Sequence, residues 1–269
     1  MAATSTAALL DAWEHGRDAS PGERGVILLG VAHPEAPLSA LSDWPVGRRD
    51  AALLAFSERL FGPRLPAQAH CPRCAALLEL EVDVARLAAA VPRELADPFV
   101  FRSGGFRVTY RLPNAGDLAA LGRRTTDRDD AAPTNRWLLD RCIVAVEHGE
   151  ATDDAEPDAQ AASSLAVAAP QPIRIPAEIA AALESELTET IAAADPLAEI
   201  ALELACPDCA AAWSAPFDIV RFLWSEVDAW AARILDEVHI LASHYGWSEA
   251  DILALSPQRR QNYRDLIGR

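Results

Sequence analysis

Four of the five cysteines in this 269-residue chain form two pairs: Cys71 and Cys74 in CPRC, Cys206 and Cys209 in CPDC. A C-x-x-C turn aims two sulfurs at one point, and two such turns supply the four ligands that tetrahedral zinc takes. Both turns carry proline directly after the first cysteine, which limits the backbone of each. Each also lies beside an alternating apolar stretch, so strands can pair and bring the knuckles together. The pattern predicts one Zn2+ held by Cys71, Cys74, Cys206 and Cys209. Four thiolates leave the metal no open position, so its expected role is structural.

A thiol redox centre is the rival chemistry. It calls for a single C-x-x-C at the start of a helix that follows a strand. Here there are two copies, and the residues after each read as strands. An iron site, disulfides and a site that has lost its metal remain as further alternatives. Cys142 sits on an apolar face and reads as buried packing. His70, beside Cys71, reads as an exposed flanking residue. His239 and His244, five apart, read as ordinary helix residues.

No other chemistry is signalled. There is no H-E-x-x-H, G-x-S-x-G, Gly-rich phosphate loop or EF-hand. All 24 basic residues other than histidine are arginine. The absence of lysine excludes a P-loop, Schiff-base or kinase-type lysine. The net charge of −16 disfavours nucleic acid and anionic membrane as partners. The ribbon strands themselves carry Glu79, Glu81, Asp83 and Glu203. The reading is therefore non-enzymatic, with no small-molecule substrate. No apolar run approaches a membrane span, and the N-terminus lacks a basic signal region, so the expected location is cytoplasmic or within an assembled particle.

The elements that position the cysteines follow from periodicity. Residues 5–15 read as a helix, GERGVILLGVAH as an apolar segment of uncertain type, and 48–61 as a helix stopped by Gly62-Pro63. Leu77, Leu78, Leu80 and Val82 alternate with Glu79 and Glu81 as in a strand. Phe106–Leu112 reads as a strand, Ala115–Leu121 as a short helix, and TNRWLLDRCIVAVEHG as a helix with Trp137, Leu138, Cys142 and Val146 inward. Residues 149–172 read as a flexible linker and PAEIAAALESELTETIAAAD as a helix. Ile200, Leu202 and Leu204 lead as a strand into the second knuckle, and a further strand leaves it.

Residues 219–245 carry the strongest helical stripe, through Leu223, Val227, Trp230, Ile234, Val238 and Leu241. Gly246 suits the left-handed C′ position. Ser248 and Asp251 have capping-box spacing, and Ser256-Pro257 starts another helix. The predicted class is α+β: a mostly helical chain with a small antiparallel zinc-ribbon-like sheet formed by two distant CPxC hairpins. Four regions follow: 1–69 helical; 70–84 with 198–218, the split ribbon; 85–197, an inserted mostly helical unit with a loop near 150–172; and 219–269, a long helix and short helix pair. In the last region Trp247, Arg259, Arg260, Tyr263 and Arg264, with Arg269, form a candidate surface for an acidic partner.

GRRDAALLAFSERLFGPRL, the two CPxC knuckles, and PFDIVRFLWSEVDAWAARILDEVHILASHYGWSEADILALSPQRRQNY together resemble a bacterial family found with contractile injection systems. Its members look like the baseplate hub assembly chaperones of T-even phages. The most specific part is the long helix followed by W-S-E-x-D-I-L-x-L-S-P-x-R-R. The resemblance covers the N-terminal helix region, both knuckles and the C-terminal third. It implies a non-enzymatic assembly chaperone or minor component of a phage-tail-like baseplate, with baseplate or hub proteins as partners and no catalytic residues. A zinc-ribbon nucleic-acid-binding or regulatory protein and a CxxC thiol redox protein are the alternative classes.

Overall fold

The computed structural model describes residues 5–88, 98–103, 105–124, 134–148 and 177–267. The predicted linker and Arg269 lie outside them. The N-terminal helices are α1 (Thr6–Gly16), α2 (Pro21–Ala32), α3 (Leu38–Ser42) and α4 (Val46–Phe61). GERGVILLGVAH is thus helical. Its start is built by Ser20, whose Oγ accepts from Glu23 N while the Glu23 carboxylate accepts from Ser20 N, with Pro21 in the first turn. Gly22 lies against the backbone of Leu118 and Ala119 so closely that a Cβ would collide.

The first knuckle joins β1 (Arg64–His70) to β2 (Leu77–Asp83), and the second joins β6 (Ile200–Ala205) to β7 (Ala212–Phe217). Each hairpin is its own two-stranded antiparallel ladder. The ribbon is therefore two small sheets meeting at the cysteines, not one continuous ladder. Residues 64–69 belong to β1, so the first helical region ends at Phe61. Leu65, Val82 and Ile200, with Leu80, Leu202 and Phe217 at its margin, join the core made by α2, α4 and the first half of α9 (Ile219–Tyr245). That core is what orients both knuckles.

Between the hairpins the chain makes α5 (Val84–Ala88), β3 (Phe99–Ser103), β4 (Phe106–Tyr110), α6 (Ala115–Arg124), α7 (Thr134–Cys142), β5 (Ile143–His148) and α8 (Ala177–Ala194). This insertion is not simply helical: β3, β4 and β5 form a three-stranded antiparallel sheet over a second core of Val108, Tyr110, Leu112, Leu139, Ile143 and Leu187. The helix expected over TNRWLLDRCIVAVEHG stops at Cys142. Beyond it, β-branched Ile143, Val144 and Val146 gain more by pairing with β4, Val108 opposite Val146, than by continuing the helix. Cys142 is fully buried as expected, and Leu139 rather than Leu138 is the buried leucine of that turn.

The stripe on α9 is borne out: Leu223, Val227, Ile234, Val238 and Leu241 are buried and Trp230 is half-buried. Each such aliphatic side chain contributes about 1.5–3 kcal/mol of burial. The helix starts on Asp218, whose carboxylate accepts from Arg221 N at 3.1 Å, and ends at left-handed Gly246. Ser248 caps α10 (Glu249–Ala254), and Ser256 Oγ accepts from Arg259 N at the start of α11 (Pro257–Ile267). These two helices close a third core over the far half of α9.

Candidate metal centre

The knuckles are near copies, CPRCAA and CPDCAA. In the first, Cys71 N donates to Ala76 O at 2.9 Å and Ala75 N donates to Cys71 O at 2.9 Å. In the second, Cys206 N donates to Ala211 O at 2.8 Å and Ala210 N to Cys206 O at 3.0 Å. Both chains then turn through a left-handed residue, Ala75 at φ 60° and Ala210 at φ 56°. Alanine rarely occupies that region, where glycine is unstrained. The same turn, paid for twice in strain, fixes the direction of all four Cα–Cβ bonds.

Cys71 Sγ lies 3.6 Å from Cys209 Sγ, and Cys74 Sγ lies 3.6 Å from Cys206 Sγ. All four sulfurs fall within 4.8 Å of one another, an arrangement that could hold a metal ion. Sulfurs about 2.3 Å from a central zinc would be about 3.8 Å apart along a tetrahedral edge. A disulfide needs about 2.05 Å, and all four cysteines are free. Cys71 and Cys206 are 2% and 3% exposed, whereas Cys74 faces solvent and Cys209 is half-buried. The centre is anchored on its inner pair and open to water on its outer edge.

Local electrostatics favours a cation here. Backbone N–H groups of Cys74 and, beyond a partial desolvation, Arg73 bring the Cys71 thiol down to about 6; Arg73 N donates to its sulfur at 3.4 Å. At Cys209 the Ala211 N–H pulls down, but desolvation and the sulfurs of Cys74, Cys71 and Cys206 win and push it up to about 12. One thiolate forms readily and the next is opposed by its neighbours. A divalent ion at their centre would remove that opposition, and Cys71, Cys74, Cys206 and Cys209 would hold it as thiolates.

His70 is exposed and its Nδ1 lies 3.5 Å from Ala75 O, beside the knuckle and outside the ligand set. Cys142 is outside the cluster, fully buried near Arg111, Asp117 and Arg141, where burial pushes its thiol up to about 12. His239 and His244 lie on exposed positions of α9. Among the described residues, no helix is long and apolar enough to cross a membrane.

The expected C-terminal surface is rearranged. Arg260 is 2% exposed: its Nε donates to Glu237 Oε2 at 3.0 Å and its Nη1 to Leu255 O at 2.8 Å. It is therefore an internal tie between α11 and α9, not a free cation, because Glu237 reaches it from the edge of the α9 stripe. Arg264 bonds the same Glu237 at 3.3 Å. Trp247 stacks on Tyr245 at 4.6 Å and meets Tyr263 edge-on at 4.8 Å. Of the five residues only Arg259 is fully exposed.

Sequence reasoning missed a polar cluster that ties the end of α8 to the start of α4. Asp195, after α8, accepts from Gly47 N at 2.9 Å, and beside it Arg49 donates to Asp50 at 2.6 Å. All three side chains are buried. No family model, curated protein or solved structure matches this chain.

Proposed function

We propose that this chain is a non-enzymatic assembly factor, a chaperone or minor component, for the baseplate of a phage-tail-like contractile injection particle, and that its metal is zinc. The four-sulfur cluster carries the structural half of this reading. Two hairpins that share no ladder but pack on a common core bring their four cysteines together. Four thiolates complete a tetrahedral shell and leave no position for water or substrate, which suits a metal that holds a surface in shape. Zinc fits because it is redox-inert and takes S4 coordination without preference for another geometry. The assembly half is supported by the resemblance of the 47–65 segment, the knuckles and the C-terminal helices to the injection-system family.

The two halves of the reading are tested separately. Protein purified under reducing conditions without chelator should contain about one zinc per chain; colour and iron in its place would overturn the choice of metal. Deleting the chain from cells that carry the injection cluster should abolish sheathed particles, and affinity capture from those cells should recover a baseplate or hub protein. Normal particle yield without the chain would overturn the assembly role.

A further inference from the structure

Between the two hairpins and the first turns of α9 runs a groove of about 850 Å3. Its apolar part is made by Leu80 from β2, Phe217 at the end of β7 and Phe222 on α9. The two phenylalanine rings lie 5.8 Å apart and tilted by 41°. Its charged part is lopsided. Glu79, Glu81, Asp218 and Glu226 line it against the single cation Arg221. Two of the carboxylates are engaged: Glu81 meets Arg64 at 3.3 Å, and Asp218 caps α9. Glu79 and Glu226 make no ion pair among the described residues.

We infer that this groove is a docking site for a partner segment that alternates apolar with basic side chains. The apolar residues of such a segment would cover Leu80, Phe217 and Phe222. Its guanidinium or ammonium groups would meet Glu79 and Glu226, and the aromatic faces add a second attraction for the same cations. The field of a chain with net charge −16 draws a basic segment toward it. The groove's walls are the two hairpins whose cysteines meet in the four-sulfur cluster, so a metal bound there would help fix its width. This inference rests on the assembly-factor reading and specifies the chemistry of the client.

The probe is a short fluorescent peptide of alternating leucine and arginine, titrated by anisotropy against the metal-loaded full chain. A leucine–glutamate peptide is the comparator. The arginine peptide should bind and the glutamate peptide should not. The variant Glu79→Gln/Glu226→Gln should weaken binding about tenfold or more. A variant of equal charge, Glu14→Gln/Glu249→Gln, removes carboxylates elsewhere and should weaken it less than about twofold. A photoreactive group on the peptide should label the stretch around Leu80 or Phe222. Equal weakening in both variants, labelling elsewhere, or no binding would overturn the groove. Loss of particles on deletion of the chain, with no peptide binding, keeps the assembly role and rejects the groove. Peptide binding with normal particles in the deletion strain does the reverse.

Discussion

The carboxylate of Asp195 accepts a hydrogen bond from the backbone N–H of Gly47, at 2.9 Å across 148 positions of sequence. Helix α4 begins after Pro45, which has no side chain able to cap it. Asp195 supplies that cap from the far end of the insertion and places negative charge at the positive helix terminus. The same closeness leaves no room for a Cβ on Gly47. Asp195→Ala should cost about 1–2 kcal/mol of stability, the range of lost caps. Gly47→Ala should cost about 2–3 kcal/mol, because it both overpacks the site and displaces the cap. Urea unfolding monitored by tryptophan fluorescence measures both; an unchanged midpoint for Gly47→Ala would reject this contact.

The left-handed alanines of the knuckles give a prediction of opposite sign. Ala75→Gly or Ala210→Gly relieves the positive-φ strain and loses little packing, since Ala75 and Ala210 are exposed. Each should raise stability by up to about 1 kcal/mol after glycine's larger unfolded-state entropy is subtracted. Ala75→Val should lower it and weaken metal retention. Thermal melting with a chelator challenge reads both quantities.

The cysteines should separate into two classes. Cys206→Ser should release the metal and destabilise the fold, because the inner sulfurs anchor both hairpins. Cys142→Ser should keep the metal while costing about 1–3 kcal/mol, from burying a hydroxyl at a fully enclosed position. In the native protein Cys142 should resist alkylation, being buried and held as the thiol. Mass spectrometry after alkylation, paired with zinc release to a colorimetric chelator, tests this division.

Acid should favour the cluster around Arg49. Burial raises the Asp50 carboxyl from 3.8 to about 6; Arg49 pulls the other way, and Asp218 and Asp195 add to the rise. Burial also raises Asp195, against its bonds to Gly47 and the charge of Arg49. In the unfolded chain Asp50 releases its proton near pH 3.8, while the folded chain keeps it to about pH 6. The folded state therefore binds the extra proton in that window. Its contribution is fully present below the lower value and is lost as pH rises through the upper, on the order of 3 kcal/mol. Asp117 works in the opposite sense: burial raises it, but Arg111 and Arg141 hold it low on balance. Comparing wild type with Asp50→Asn from pH 4 to 7 isolates the first effect. Wild type should lose more stability across the range, and parallel curves would reject it.

What was legible in the residues was what depends on near neighbours. The α9 stripe, the turn at Gly246 and the caps at Ser248 and Ser256 are set within a few positions. The four cysteines were legible because ligand type and spacing specify a metal site without knowledge of the fold. The capping box at Ser20 and Glu23 was equally local, yet the glycines at 22, 25 and 30 obscured the helical pattern. Strand β1 was hidden by Pro66 and by alanines at inward positions. Strand β5 exists because β4 is there to pair with it. Arg260 is buried only because Glu237, 23 positions earlier, meets it. The groove combines three separated elements, so no window of sequence contains it.

The distance between the knuckles also sets a timetable for synthesis. Cys74 and Cys206 are 132 positions apart, and ribosomes add about 5–20 residues per second. The first knuckle therefore emerges roughly 7–26 s before its partner. During that interval Cys71 and Cys74 are a two-thiolate half-site, with water or small thiols completing the coordination of any ion they capture. The finished shell cannot close until the insertion has been made and β6 follows it out. Completion of the four-sulfur site is thus a late event in the life of each chain, and a chain terminated early would carry a thiol pair without its partners.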